Sequence, residues 1–311
     1  MNGKFQIISD GSCDLPPELA AERLIRVIPF YVSFDGKNYR KELEEIGIRE
    51  FYQEMVNQRG VYPRSSLPSV QDYMDAFLPY AKAGIPMLVL CISTRLSGSM
   101  QSALSARELI LEDYPEAEIR VIDTTLCTVL QGLLVLEAAA MRDRGAGLAE
   151  TAERIEAIKS TGRIFFTVGN LEYLQAGGRI GRVAGIAGSL LGIRPVITMK
   201  EGEIFPSGIS RSRKKTMEKT VDLLKDYLRA NGGTAYGGEA GEMPPASILR
   251  KYSLATGFGY DREEAEGYRR LIVERMEGLP GLEQLPLYQI GATIGVHTGP
   301  YPLGLGIIER A

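Results

Sequence analysis

Several features that mark particular classes of protein are scarce or missing in this chain of 311 residues. No apolar run reaches the ~18–20 residues that a membrane-spanning helix needs. The most apolar candidate, over 129–141, is interrupted by Gln131 and Glu137, so stable membrane insertion is not expected. The opening segment MNGKFQIISD enters a strand pattern without the basic and apolar regions of a signal peptide. We therefore expect a cytoplasmic protein.

Cysteine and histidine are also rare. The three cysteines, Cys13, Cys91 and Cys127, are odd in number and lack metal-type spacing, which indicates reduced thiols. His297 is the only histidine, and no paired set of His, Cys and carboxylate side chains predicts a metal site. The net charge of −3 gives little support to nucleic-acid binding. The GGRIG segment has neither common phosphate-loop spacing, and we expect no cofactor.

The apolar pattern that is present predicts an α/β protein. Apolar residues make up 44% of the chain and charged residues 24%, as in ordinary globular proteins. Short apolar runs over 5–9, 87–92 and 119–122 alternate with helical spacing, which predicts a mainly parallel sheet with helices on both faces. Residues 24–34 are predicted as one strand that turns at Asp35-Gly36 into a hairpin.

The length of the chain suits two domains. The alternating pattern weakens near 145–147, and we place the boundary close to Ser160. Residues 1–160 are predicted to form a three-layer α/β/α domain. Residues 161–311 are predicted to form a smaller α/β domain.

A hydroxyl-rich turn follows the central strand. The segment contains Ser93, Thr94, Ser97 and Ser99, with Gly98 among them, and a helical pattern begins directly afterwards. Free N–H groups and the positive end of the helix dipole favour an anion at such a place. Alternatively, Ser97 merely caps the helix. Residues 9–13 and 123–125 end neighbouring strands at the same sheet edge, where ligands of such folds bind.

Three features of the second half leave alternatives open. The segment 177–192 is rich in small and apolar residues, which either pack tightly or leave room for an apolar ligand. The basic cluster 211–215 is a solvated face or a regulatory contact. His297 lies in a predicted Gly/Thr/Pro loop and is either structural or a ligand contact.

Together these features favour binding of an amphiphile with an acidic head over catalysis. The head would lie at the serine cluster and the tail among small apolar residues. An enzyme remains the alternative: a hydrolase with Cys13 as nucleophile and His297 as base, or a phosphotransferase acting on an acyl or phosphorylated small molecule.

A set of motifs in a fixed order resembles the DegV family, the fatty-acid-binding proteins that serve bacterial fatty-acid kinase. The motifs extend from Ser9 to Ile307 and comprise ISDGSCDLP, RSSLPS, ISTRLSGSMQSA, VIDTTLCTVLQGLLVLEAA, NLEYLQAGGRIGRVAGIAGSLLGIRPVITMKEGEI, RSRKK and GVHTGPYPLGLGI. The LEYLxxGGRIG block and HTGP are the most specific.

The resemblance implies a long-chain fatty acid bound between an N-terminal α/β/α domain and a smaller C-terminal α/β domain. It implies that the carboxylate is held by groups from three loops, carried over as Ser65, Ser93 or Ser97 with Thr94 and the Gly98 amide, and His297 with Thr298. It places the acyl chain in an apolar tunnel that includes Ile186, Leu190 and Leu191.

The resemblance also implies a non-enzymatic carrier that presents its ligand to a separate, dihydroxyacetone-kinase-like fatty-acid kinase for acyl-phosphate formation. Arg179 is then the leading candidate for contact with the kinase or the developing phosphate, followed by Arg211. We expect a monomer. Two departures from the family pattern are Tyr301, where Gly is usual, and Arg95, where a small residue is common. The hypothesis for Arg95 is that it pairs with the ligand head.

Overall fold

The computed structural model describes residues 5–58, 60–187, 192–231, 249–276 and 281–311. Its strands are β1 Gln6–Asp10, β2 Ile25–Ile28, β3 Tyr31–Ser33, β4 Arg40–Lys41, β5 Arg64–Ser66, β6 Met87–Cys91, β7 Ile119–Asp123, β8 Arg163–Thr167, β9 Arg194–Lys200, β10 Glu203–Ser210, β11 Tyr252–Phe258, β12 Leu287–Gln289 and β13 Leu303–Glu309. Its helices are α1 Pro17–Glu22, α2 Ile48–Asn57, α3 Val70–Lys82, α4 Ser99–Asp113, α5 Thr128–Asp143, α6 Leu148–Ile158, α7 Glu172–Ala176, α8 Ala184–Ala187, α9 Arg213–Asn231, α10 Arg262–Arg275 and α11 Ala292–Thr298.

The first sheet is parallel, in the order β2-β1-β6-β7. Its central strand β6 is buried on both faces. Leu88 and Leu90 belong to the core that includes α5, whereas Met87 and Val89 belong to the core that includes α3 and α4. This arrangement follows from the period of two along a strand. The predicted α/β class with helices on both faces is thereby confirmed.

The second sheet has six strands in the order β10-β9-β8-β13-β11-β12. Only β11 and β12 pair in parallel, and the other pairs are antiparallel. Apolar residues of this sheet, including Ile164 and Ile197, share one core with α5 and the first sheet. The two sheets therefore enclose common apolar space. We retain 1–160 and 161–311 as the proposed domain limits.

The predicted strand over 24–34 is divided in the structure, which corrects the sequence prediction. Pro29 has no N–H to donate to a sheet ladder, and β2 ends directly before it. The chain then enters a separate three-stranded sheet, β4-β3-β5. The expected hairpin forms between β3 and β4, and the Asp35 carboxylate accepts bonds from the Lys37 and Asn38 N–H groups.

The prediction for the surroundings of His297 was also wrong. This residue lies in the last turn of α11 rather than in a loop. Glycines bracket the helix, with Gly291 as its N-cap residue and Gly299 as its C-cap residue at a φ of 77°. The short helix therefore fixes the direction of the imidazole. None of the helices among the described residues has the length and apolar character needed to span a membrane.

Candidate functional site

A cavity of about 250 Å³ lies between the second sheet on one side and α5, β5 and α11 on the other. Its polar wall consists of hydroxyl, imidazole and guanidinium groups: Ser65, Ser66, Ser97, Thr128, Arg179, Thr293, His297 and Thr298. Its apolar wall includes residues of α5 and of four strands in the second sheet: Val129, Ile164, Phe166, Met199, Ile204 and Leu303. The cavity therefore combines a few polar groups with a large apolar surface, as small-molecule sites commonly do.

His297 is at the centre of the polar wall. Its Nε2 atom is 3.1 Å from the hydroxyl oxygen of Ser65, which β5 supplies. The other side of the ring faces Gly177, where a Cβ atom would clash with Nδ1. Only glycine fits at this position without displacing the ring. The family-like GGRIG segment thus packs directly against the imidazole.

The imidazole is held in its neutral form. Burial, together with the nearby charge of Arg179, lowers the pKa of His297 to about 4. A buried Nδ1 atom also has no hydrogen-bond partner among the described residues. Such an atom is costly unless a ligand or water satisfies it. The ring can therefore accept or donate one further hydrogen bond, depending on its tautomer.

Arg179 connects the two halves of the site. Its Nε donates to the Leu96 carbonyl over 3.1 Å, and its Nη1 donates to the Gly177 carbonyl over 2.7 Å. The guanidinium has five N–H donors, so these two bonds leave others for an anion. The side chain is exposed although it lines the cavity. Arg179 therefore lies where a bound head group would meet solvent.

The hydroxyl-rich turn contributes one serine to the cavity wall. The Ser97 hydroxyl lines the cavity and accepts a bond from the Ser99 N–H at 3.2 Å. Ser97 is not the N-cap residue of α4, which is Gly98, but it bonds the first turn of that helix and lines the cavity; its contact with an anion stays a prediction. Thr298 also lines the cavity while its hydroxyl donates to the Ile294 carbonyl at 3.0 Å.

Other residues proposed from the sequence are placed elsewhere. The buried Ser93 hydroxyl donates to the Gly202 carbonyl at 3.0 Å, and the Thr94 hydroxyl donates to the Asp123 carboxylate at 2.5 Å. Gly98 is the N-cap residue of α4, and Arg211 lies in the turn between β10 and α9. None of these four is among the described residues that line the cavity. Arg95 pairs with Glu203 at 3.0 Å.

The predicted tunnel residues are not described. Leu190 and Leu191 lie outside the described residues, as does the side chain of Ile186, whose backbone belongs to α8. The apolar wall that is described comes instead from α5 and the second sheet. Sequence reasoning missed it, although the alternation of apolar residues in β8 and β9 was a usable signal.

A network of three buried carboxyl groups borders the polar wall. Asp10 accepts four hydrogen bonds, from the Ser12 and Ser99 hydroxyls, the Gln131 amide and the Ile92 N–H. Burial nonetheless raises the pKa of Asp10. The carboxyl at the end of β1 is thus surrounded by donors from the turn after β1, the residue after β6, α4 and α5. This network joins the strand ends that the sequence predicted to meet.

Asp14 and Glu42 extend this network beneath α11. The Thr128 hydroxyl donates to Asp14 at 2.5 Å, and the Thr293 N–H donates to Glu42 at 2.9 Å. Burial raises the pKa of both carboxyls, and each side chain opposes ionisation of its neighbours. Glu42 therefore contacts the N-terminal turn of the helix that carries His297, where a negative charge is favoured.

The cysteines are arranged as buried thiols. All three are free, and burial raises the pKa of Cys13 to about 12. Cys13 is absent from the described cavity wall, whereas Cys127 lines it and contacts the Met199 sulfur at 3.2 Å. Among the described residues no cluster of His, Cys, Asp and Glu has the makings of a metal site.

These observations define an α/β protein with two main sheets and a mainly apolar cavity against the second of them. A model of the DegV family, described as uncharacterised proteins, matches residues 4–310. A DegV domain-containing protein of Clostridium perfringens is 31% identical over 299 residues, which cover 95% of this chain and 94% of the relative. The chain belongs to the DegV family.

Two solved structures show the same fold. A stearic-acid-binding protein from Eubacterium ventriosum is 37% identical, with a TM-score of 0.88 and 98% of each chain covered. A DegV family protein from Thermus thermophilus, described by its fatty-acid binding, is 28% identical, with a TM-score of 0.82 and 98% and 99% of the two chains covered. Both similarities extend over almost the whole chain.

Proposed function

We propose that this protein binds a long-chain fatty acid in the cavity against its second sheet and presents the carboxylate to a separate fatty-acid kinase. One observation carries the proposal: a single cavity joins a large apolar wall to Ser65, Ser97, Arg179, His297 and Thr298. The fatty-acid-binding relatives that share the fold support the same ligand class. The protein is then a carrier and not itself an enzyme.

The two walls have different roles in this proposal. Each buried methylene contributes about 0.8 kcal/mol, so the acyl chain supplies most of the affinity. A buried carboxylate must be paired with donors. Ser65 and His297, already 3.1 Å apart, and Arg179 offer a hydroxyl, an imidazole and a guanidinium for that purpose. The polar wall therefore fixes the orientation of the ligand.

Presentation to a kinase assigns a role to Arg179. In the partner, a carboxylate oxygen of the fatty acid would attack the γ-phosphorus of ATP, giving acyl phosphate and ADP. The exposed guanidinium of Arg179, held by the Leu96 and Gly177 carbonyls, would meet the kinase or the developing phosphate. Arg211, which does not line the described cavity, is the second candidate for contact with the kinase.

The enzyme alternative has less support. A cysteine hydrolase needs the nucleophile within hydrogen-bond reach of its base, yet the oxygen beside His297 belongs to Ser65. The Cys13 thiol is buried, with its pKa raised to about 12. The imidazole, with a pKa lowered to about 4, is a weak base. Hydrolysis of a p-nitrophenyl ester that is abolished in Cys13→Ala would favour the alternative.

A titration of the imidazole tests the carboxylate position. Since His297 is the only histidine, its ring signals in an NMR spectrum belong to one group. We expect a pKa of about 4 in delipidated protein and a higher value with palmitic acid bound, because a nearby carboxylate favours the imidazolium. Arg120→Ala, at an exposed position, serves as a control. An unchanged pKa with the ligand bound would place the carboxylate elsewhere.

The kinase role needs a separate test. Purified protein loaded with palmitic acid is mixed with a bacterial fatty-acid kinase and ATP, and ADP release is measured. Because Arg179→Ala also loses one donor to the carboxylate, it is compared with the wild type at equal loading with palmitic acid, and we expect it to slow ADP release at least tenfold. Normal ADP release by Arg179→Ala would contradict the assigned role while leaving fatty-acid binding intact.

A further inference from the structure

A second cavity, of about 280 Å³, lies behind the polar wall of the first. Thr298 lines both cavities. Two pairs of residues that are adjacent in the sequence are also divided between the cavities. Leu174 and Pro302 line the first cavity, whereas Tyr173 and Tyr301 line the second. The second cavity is thus separate from the proposed lipid site, and only a thin layer of chain divides the two.

Three tyrosines form much of this cavity, and we call it the tyrosine pocket, defined by Tyr62, Tyr173, Tyr301 and Glu172. The rings of Tyr62 and Tyr173 meet edge to face with centroids 5.1 Å apart. Tyr301 packs over Gly169, where a Cβ atom would lie 3.7 Å from the ring. Tyr62 and Tyr301 remain 38% and 39% exposed, so the aromatic surface is accessible.

Glu172 is the only charged side chain among the described residues that line the tyrosine pocket. Its Oε2 accepts bonds from the Tyr62 hydroxyl at 2.9 Å and the Asn170 amide at 3.2 Å. No cation of the described residues lies within ion-pair distance of this carboxylate. The hydrogen bond to Glu172 raises the pKa of Tyr62. The described lining of the pocket therefore holds one carboxylate and no cationic side chain, while the Arg213 guanidinium donates from outside it to the Tyr301 carbonyl at 3.0 Å.

The chain pairs a cation with a tyrosine directly beside this pocket. The Arg49 guanidinium lies 4.4 Å from the centroid of the Tyr260 ring, and its Nη1 donates to the Tyr260 carbonyl at 2.8 Å. Tyr260 in turn packs edge-on against Tyr301, with centroids 6.3 Å apart. In this group of tyrosines, the Tyr260 ring is thus already in contact with a guanidinium, whereas the Tyr62 and Tyr301 rings remain accessible.

We propose that the tyrosine pocket is a binding site for an ammonium or guanidinium group. Aromatic faces attract cations within about 6 Å of the ring centroid, and the carboxylate adds direct charge pairing. The cation has two sources of identical chemistry: a free organic cation, or a basic side chain of a protein. This inference does not depend on fatty-acid binding in the first cavity.

Calorimetric titration of the purified full chain tests the proposal. The probes are acetyl-argininamide, acetyl-lysinamide and tetramethylammonium, with acetyl-citrullinamide as the uncharged match for arginine. We expect all three cations to bind and citrulline to show no heat above dilution. Equal binding of arginine and citrulline, or no binding up to about 100 mM (about the weakest affinity that three cation–π contacts would give), would overturn the proposal.

Substitutions then assign the site. We expect Tyr301→Ala and Glu172→Gln each to weaken cation binding about two- to fivefold, while Tyr301→Phe, which keeps the ring, retains it. Tyr39→Ala, at a tyrosine that is 38% exposed outside the pocket, should leave binding unchanged. Equal affinity of the wild type, Tyr301→Ala and Glu172→Gln would overturn the proposal, and near-native circular dichroism verifies folding.

Two further arms distinguish the source of the cation. Tighter binding of the peptide GGRGG than of acetyl-argininamide would assign the site to a protein side chain, and equal binding would assign it to a free cation. Arg59 precedes the lining residue Gly60 in the sequence. Arg59→Ala is therefore measured as well. If added cations bound only to this variant, the chain's own Arg59 would be the cation, and the proposal of an external ligand would be overturned.

Discussion

Helix α11 lies between two polar regions that use similar donors in different ways. Near its start, Asp10, Asp14 and Glu42 are carboxyls of the chain itself, and Asp10 alone accepts four hydrogen bonds. Near its end, Ser65 and His297 face a cavity whose described wall contains no carboxyl group. In the first region the chain supplies its own acid to the donors, whereas the second region holds donors and a cation without an acid of their own.

The difference indicates what the second region is suited to bind. Hydroxyl and amide donors hold Asp10 inside the protein, so these residue types are sufficient to bury a carboxyl group in this fold. The cavity offers hydroxyls and an imidazole, with Arg179 as an added positive charge. A carboxylate supplied by a bound ligand would give these donors an acceptor. The four predictions that follow test this comparison, from the largest expected effect to the smallest.

Removal of the Asp10 carboxyl should have the largest effect, a loss of stability. Asp10→Ala removes the acceptor of four buried donors, of which Ser12, Ser99 and Gln131 have second partners, and each group left unsatisfied costs about 1–3 kcal/mol. We expect the free energy of unfolding, measured with urea, to fall by about 3 kcal/mol or more. Asp123→Ala, which removes an acceptor for partly exposed donors, is the matched control. A loss below about 1 kcal/mol would show that the Asp10 bonds are not what holds this region together.

Removal of a donor from the cavity should affect binding more than stability. A hydrogen bond to a charged group contributes about 1.5–3 kcal/mol, so His297→Ala should weaken fatty-acid binding by about 10–100-fold. Displacement of a fluorescent fatty acid measures this affinity. His297→Gln, which keeps a donor, should recover part of it. Equal affinities of the wild type, His297→Ala and His297→Gln would show that His297 does not bind the carboxylate of the fatty acid.

The raised pKa of Asp14 predicts a pH dependence of stability. A carboxyl with a raised pKa retains its proton in the native state more strongly than in the unfolded state. Its contribution is therefore present below pH ~4 and is lost as the pH rises through the native pKa. We expect Asp14→Asn to lack this decline and to be more stable at pH 8 by about 1 kcal/mol.

Thermal unfolding across pH 4–8 checks this expectation. The imidazole has the opposite sign: with a native pKa of about 4, its contribution is present above pH ~6.5 and is lost as the pH falls through 4. His297→Gln therefore serves as the contrasting variant. A steeper fall of the unfolding temperature towards high pH in Asp14→Asn than in the wild type would contradict the predicted contribution of Asp14.

The smallest effect is expected from the hydroxyl that the structure directs away from the cavity. Thr94 donates to Asp123 and is exposed, so Thr94→Val should leave fatty-acid affinity unchanged within about twofold, an energy of about 0.4 kcal/mol. Ser97→Ala, in the same turn, should weaken affinity. The same displacement assay measures both variants. Equal losses of fatty-acid affinity in Thr94→Val and Ser97→Ala would contradict the distinction between hydroxyls that bond within the protein and hydroxyls that face the cavity.

Local signals predicted much of the fold. The first turn of α3 carries such a signal, since Ser69 and Asp72 form a capping box there. The apolar run over 87–92 corresponds to β6, and the hydroxyl-rich turn leads into α4. These features depend on periodicity and capping, which neighbouring residues determine. The division at Pro29 was missed because it depends on one absent N–H group.

Less of the site could be predicted from local patterns. Ser65 and His297 are 232 residues apart, and only the family resemblance placed both at one ligand. Ser93 and Ser97 have equivalent sequence surroundings, but the Gly202 carbonyl of the second half accepts the Ser93 hydroxyl. Long-range pairings of this kind decide which hydroxyl faces the cavity. The tyrosine pocket likewise joins residues from three separate segments.

The most direct measurement is mass spectrometry of an organic extract of the purified protein, with wild type beside Ser97→Ala, His297→Ala and the control Thr94→Val. The account predicts about one fatty acid per wild-type and Thr94→Val molecule, and depletion in the other two variants. A wild-type protein that carries no fatty acid, and remains empty after incubation with palmitic and oleic acids, would contradict it.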